Sequence, residues 1–195
     1  MKLLLATTSR GKVREQRLAL KRLETDIVTL AEFPEVEPPE EPDPSFEANA
    51  STKALYYHRA TGLAAVAEDA GLEVDALDGE PGVHSARWLG DETPFTVKNE
   101  RLLERLRGLP EKKRTARYVS AIALAEGDEV VFTTRQTCEG RIAFSASGEK
   151  GFGYDPIFFF PPLEATFAEV SAEEKERVSH RGKAMAELRR HLERR

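Results

Sequence analysis

The first sixty residues switch repeatedly between two hydrophobic periods. Lys2 to Ala6 (K-L-L-L-A) is a short apolar run that predicts a buried strand. After the hydroxyl-rich break Thr7-Thr8-Ser9-Arg10-Gly11-Lys12, apolar residues at Val13, Leu18, Leu20 and Leu23 predict a helix. Asp26 to Leu30 predicts a second short strand. Phe33 to Pro44 (F-P-E-V-E-P-P-E-E-P-D-P) is too rich in proline for a helix interior or a central strand. Ser45, with Glu47 in the following turn, predicts the cap of a helix that runs to about Thr61. On that helix Ala48, Ser51, Thr52 and Leu55 are the expected packing face, while Asn49 and Lys53, four apart, share a polar one.

Gly62 to Leu77 (G-L-A-A-V-A-E-D-A-G-L-E-V-D-A-L) is the stretch on which the rest converges. An apolar run from Leu63 to Ala67 stops at Glu68 and Asp69. Gly71 then precedes Leu72, Val74 and Ala76, which share one face at period two. This predicts two strands, the first delivering both carboxylates to its end. Adjacent strand residues point to opposite faces, so the two acids are expected to differ in task. One would hold a hard cation and the other orient it or accept a proton. In isolation an acid pair of this kind is most often a polar turn.

Further along, Pro81 to Trp88 is a loop with the only tryptophan, and Thr93-Pro94 predicts a helix start running to about Leu106. Arg117 to Ala125 and Glu129 to Thr137 alternate as strands joined by Glu126-Gly127-Asp128, a hairpin in which no chemistry is expected. Gly148 to Pro156 is a glycine-spaced loop with two aromatics and an Asp, followed by a strand from Ile157 to Phe160. Ser171-Ala172-Glu173-Glu174 is a capping box that opens a short helix carrying Lys175. Ser179 to Lys183 opens the last helix, with Met185, Leu188 and Leu192 on its buried side.

Composition narrows the classes. The 195 residues suit one large domain or two closely packed lobes. With 40% apolar and 32% charged residues, acids and bases interspersed, the chain is an ordinary globular protein. A net charge of −5 argues against a general affinity for nucleic acid. A single cysteine excludes an internal disulfide and fits an intracellular protein. No membrane span and no leader is expected, because basic residues follow the opening apolar run instead of preceding it.

Three stretches carry candidate chemistry. A strand leading through Thr7 to Lys12 into a helix has the shape of an anion site, although it lacks Walker A spacing. Lys53, paired with Asn49, becomes a candidate phosphate ligand if it faces that site. In the loop from Gly148, glycines would let the backbone approach a flat ligand, an aromatic would stack on a base, and Asp155 would accept from base or sugar. His180 and Arg181 are cations in a first helical turn, against the dipole, a placement that suits donors facing a ligand acceptor.

Taken together, T-x-S-x-G-K, F-E-A-N-A-x-x-K, A-E-D-A-G-L-E-V-D-A-L, P-G-x-x-S-A-R, G-F-G-Y-D-P-I-F and S-H-R-G-x-A occur here in one order. The chain resembles the inosine triphosphate pyrophosphatase family (Ham1-like) from Leu5 to Leu192. The resemblance implies an elongated α/β fold, a single domain of two lobes with a mixed sheet and a central substrate cleft. It implies a cytoplasmic, Mg²⁺-dependent homodimer that hydrolyses non-canonical purine nucleoside triphosphates (ITP, dITP, XTP) to the monophosphate and pyrophosphate, with neither nucleic acid nor membrane as partner.

Residue by residue, Thr7, Thr8, Ser9, Arg10, Gly11 and Lys12 match the family's triphosphate loop, and Lys53, with Asn49 beside it, matches its second lysine. Asp69 matches the catalytic acid and metal ligand, with Glu68 in support, and Glu40 matches the loop acid on the metal, although the proline-rich loop could lower either Glu40 or Glu41 there. Phe152, Gly153, Tyr154 and Asp155 match the base and ribose loop; Lys175, His180 and Arg181 match the base-recognition residues. The family usually has Gly at Thr8, Asn at Ser9, Asp at Glu68 and, at Ala70, a Ser used on substrate. Two other functions fit the same residues: a pyrophosphatase with a different base preference, and a non-catalytic nucleotide sensor.

Overall fold

The computed structural model describes residues 2–41 and 43–195. These form a mixed seven-stranded sheet and five α-helices, an α/β fold, with strand order β2-β1-β3-β4-β5-β6-β7. The strands are β1 (Lys2–Leu5), β2 (Asp26–Thr29), β3 (Ala64–Val74), β4 (Thr115–Glu126), β5 (Glu129–Ile142), β6 (Phe158–Phe160) and β7 (Ala165–Thr166). The helices are α1 (Arg10–Leu20), α2 (Phe46–Thr61), α3 (Phe95–Arg105), α4 (Ala172–Val178) and α5 (His180–Leu192). β1 runs parallel to β2 and β3, and β6 antiparallel to β5 and β7.

The chain divides into two compact units. The first comprises Met1–Asp69, Ser120–Gln136 and His180–Arg195; the second comprises Ala70–Val119 and Thr137–Ser179. Each has its own core. In the first, Leu3, Leu5 and Val66 of the sheet meet Ala19 and Leu20 of α1 and Met185 and Leu188 of α5. In the second, Leu72, Leu102, Tyr118, Cys138, Phe158 and Phe167 come together, and three aromatic rings stack or tilt on one another there.

Local chemistry sets most element boundaries. Ser45 caps α2 by accepting the amide of Ala48 at 3.1 Å, and Gly62, at φ +70°, ends it by bonding back to His58. Gly127 and Asp128, both at positive φ, form the two-residue turn of the β4–β5 hairpin. Ser171 and Glu174 form the reciprocal cap of α4. Helix α3 begins after Pro94, so Thr93 does not cap it; its hydroxyl donates to the Leu89 carbonyl instead.

Two expectations are corrected. Glu68 and Asp69 do not end a strand. They lie inside β3, which continues through Ala70 and Gly71 to Val74, because both carboxylates find buried partners and need no turn to reach water. On α2 the faces are exchanged: Phe46, Asn49, Ala50, Lys53, Ala54 and Tyr57 are buried, whereas Thr52 is exposed and Ala48, Ser51 and Leu55 are half-buried. The buried stripe includes two polar residues because they serve a carboxylate on the neighbouring strand.

Candidate active site

The residues expected to bind phosphate lie in the first unit. β1 ends at Leu5, Ala6 donates its amide to Val66, and the chain turns through Thr7–Ser9 into α1. Thr7 Oγ1 accepts the Ser9 amide at 3.2 Å, and Ser9 caps α1 by accepting the amide of Lys12. The strand–loop–helix arrangement therefore forms, with the amide end of α1 at its mouth. Thr8 and Arg10 are exposed there, and Gly11 is half-buried.

Glu68 sits at the centre of a buried polar network. Its carboxylate accepts Arg181 Nε on both oxygens at 2.9 Å, the Ser120 hydroxyl at 2.6 Å and Gln16 Nε2 at 3.2 Å. Lys12 Nζ approaches to 3.9 Å. Burial works to raise the Glu68 pKa, but the charges of Arg181 and Lys12 and the bonds from Arg181 and Ser120 outweigh it. They hold the carboxyl well below the ordinary range. Burial pushes Lys12 down from its ordinary value; Glu68 offsets part of this, and Lys53 adds to it. Glu68 thus stays ionised, a counter-ion for two cations.

Asp69 is served from α2. Asn49 Nδ2 donates to its Oδ2 at 3.1 Å and Lys53 Nζ lies 3.3 Å from its Oδ1. The same ammonium lies 3.1 Å from Glu41 Oε1. Of the two loop acids, Glu41 is the one that meets Lys53, while Glu40, matched by its place in the motif, is exposed. Asn49 also grips the backbone of Asp43, donating to its carbonyl at 3.0 Å and accepting its amide at 3.2 Å, which anchors the end of the proline-rich loop.

Among the described residues no three His, Cys, Asp or Glu side chains assemble into a metal-holding group. The donor set nevertheless suits a hard divalent cation. Two carboxylates meet on one ammonium, and Mg²⁺ is commonly held by one or two carboxylates, water and the substrate's phosphates.

The second unit carries the aromatic loop. Asp155, expected to face a ligand, is 1% exposed and turns into its own loop. It accepts the Phe152 amide at 2.8 Å, the Tyr118 hydroxyl at 3.2 Å and Lys175 Nζ at 2.5 Å. Gly151 makes this possible: a Cβ there would lie 2.2 Å from Asp155 Oδ2, and its φ is +72°. Tyr154, also expected at the ligand, is buried, with its hydroxyl on the Ser85 carbonyl at 3.0 Å and its ring edge-on to Phe95. Burial raises its pKa. Phe152 remains the half-buried ring of the loop, with Lys175 Nζ 4.9 Å from its centroid. Asn99 braces the loop through the Gly153 carbonyl at 3.1 Å, and Lys98 holds the carbonyl of Ala86.

Arg181, expected as a base donor, has its guanidinium on Glu68 and Glu15 within the first unit, with 4% of the side chain exposed. His180 precedes it, buried, at the start of α5. Ala70 follows Asp69 on β3. Sequence reasoning missed Gln16, Ser120 and Tyr118. Gln16 stands one helical turn after Lys12, and Ser120 interrupts an apolar run, so helix and strand periodicity would have flagged both.

An α/β protein of this kind, with lysines set against central-strand carboxylates beside a helix amide end, belongs to the anion-handling classes. A sequence profile of the Ham1 family matches residues 3–191. A dITP/XTP pyrophosphatase of Desulforamulus reducens is 46% identical over 185 residues, covering 95% of this chain and 92% of its own length. One of Thermus thermophilus is 47% identical over 188 residues, covering 96% and 90%. The solved HAM1 protein of Coxiella burnetii superposes with a TM-score of 0.88 at 34% identity over 100% of both chains. The Ham1 protein of Staphylococcus aureus gives 0.86 at 34% identity over 99% of this chain and 98% of its own. The chain belongs to the Ham1 family.

Proposed function

We infer that this protein is a hydrolase of the anhydride bonds of nucleoside triphosphates, acting on non-canonical purine nucleotides such as ITP, dITP and XTP. The observation that carries the reading is the pairing of each phosphate-seeking lysine with its own carboxylate of β3: Lys12 with Glu68, Lys53 with Asp69. A sensor of triphosphate would gain little from carboxylates set among its cations. Relatives named for dITP and XTP support the substrate class.

In this proposal the amide end of α1, Lys12 and Lys53 offset the charge of the triphosphate. Asp69 orients a water and accepts its proton as the water oxygen attacks the α-phosphorus. The bond from that phosphorus to the bridging oxygen breaks, and pyrophosphate leaves. Glu68 keeps Lys12 and Arg181 in place and takes no proton. Asp69 and Glu41 would hold Mg²⁺, which when bound supplies further positive charge to the phosphates. We assign the base to the Phe152 loop, with stacking on Phe152 and a donor from Lys175 to a 6-oxo group. Adenine presents an amino donor at that position and would meet donor with donor. Family resemblance also supports a homodimer, which sedimentation of the purified chain tests.

The deciding experiment is a substrate panel with Mg²⁺. ITP should give IMP and pyrophosphate, with ATP much slower. Orthophosphate as first product, or indifference to the 6-oxo group, would sink the reading. Asp69→Asn should lower kcat by about three orders of magnitude or more while nucleotide still binds, as loss of a catalytic group does.

A further inference from the structure

Asn49 and Lys53, one turn apart on α2, share the carboxylate of Asp69, and Lys53 also meets that of Glu41. Lys53 Nζ lies between Glu41 Oε1 at 3.1 Å and Asp69 Oδ1 at 3.3 Å, with 10% of the side chain exposed. Asn49 is fully buried and holds Asp69 Oδ2 directly. It holds the Glu41 loop through the Asp43 backbone, two residues along. Both acids are thus fixed from one helix face, and the space between them is filled by an ammonium. A divalent cation bridging the same acids would have to sit against that ammonium, since like charges at such range repel strongly away from bulk water.

We propose that Lys53 is the resident counter-cation of the metal seat, holding Asp69 and Glu41 in register without nucleotide. It releases them to a divalent cation only when a triphosphate draws its ammonium away. The proposal rests on the reading that these two acids hold the metal. It adds that metal alone binds poorly and arrives together with nucleotide, and that Asn49 is a positioning residue of this seat, with no substrate contact of its own.

The test is Mn²⁺ binding followed by electron paramagnetic resonance, with melting temperature measured in parallel. The proteins are wild type, Lys53→Gln, Lys53→Met and Lys53→Arg, all without nucleotide. The Gln and Met variants should bind Mn²⁺ at least about tenfold more tightly than wild type, in keeping with the effect of local charge on divalent affinity. Their melting temperatures should rise with Mn²⁺, while wild type and the Arg variant should barely respond. A plain structural ion pair would not make stability cation-dependent. Equal Mn²⁺ affinity in wild type and the neutral variants, or an Arg variant that gains as much as they do, overturns the proposal.

A second arm separates the two readings. Wild type with the α,β-methylene analogue of ITP should recruit Mn²⁺, and Asp69→Asn should abolish that recruitment. If recruitment survives in Asp69→Asn, the metal seat lies elsewhere and the proposal falls with it. If recruitment is abolished but the neutral Lys53 variants gain nothing, only the proposal falls.

Discussion

Glu68 illustrates how one buried side chain can tie several elements together. Its donors come from α1, β4 and α5, so removing its charge leaves the buried Arg181 guanidinium with Glu15 but without its second carboxylate. Glu68→Gln should therefore cost about 3–5 kcal/mol in urea unfolding at pH 7, the range for breaking a buried pair from one side. The sign with pH follows from its depressed pKa. Its stabilisation is complete above the unfolded glutamate value of about 4.3 and is lost as pH falls toward the folded value. Wild type should lose stability steeply below about pH 4, and the Gln variant should show a shallower acid limb. Ser120→Ala should cost about 1–3 kcal/mol because it leaves a buried acceptor short of a donor. The ion pairs of Arg181 were not legible from its position in a first helical turn. Its partners Glu68 and Glu15 are far away in sequence, and only the packing of α5 against β3 and α1 brings them together.

At the level of elements, local signals were read well where the chain caps or turns itself. Ser45, Gly62, the Gly127–Asp128 turn and the Ser171 box all behave as their chemistry dictates. Ser45→Ala should lower stability by about 1 kcal/mol, the usual cost of a lost cap, measurable in urea. Reading failed where tertiary partners override local polarity. β3 runs through two acids, and α2 buries Asn49 and Lys53, because each polar group is matched by another across elements. No periodicity argument on one segment reveals a partner on another. The aromatic loop depends in the same way on Gly151. Gly151→Ala forces Asp155 off the Phe152 amide and places a side chain at positive φ, which should destabilise by about 1–3 kcal/mol. It should also raise KM for ITP more than it lowers kcat, because the loop is assigned to the base and not to the phosphates.

For the molecule as a whole, the ordered motifs were enough to identify the family, and the profile match over residues 3–191 agrees with them. What the sequence left open were side-chain placements: which of Glu40 and Glu41 meets Lys53, and the inward turn of Tyr154 and Asp155 that builds their loop. Those depend on side-chain direction, which order along the chain does not specify. Cys138 offers a practical handle on the assembled protein. It is the single thiol in the sequence and lies fully buried in the core of the second unit. Ellman's reagent should therefore react slowly with the native protein and quickly in urea, so that the colour development reports how often that interior opens. A reporter cysteine introduced at an exposed position could be dye-labelled against almost no background.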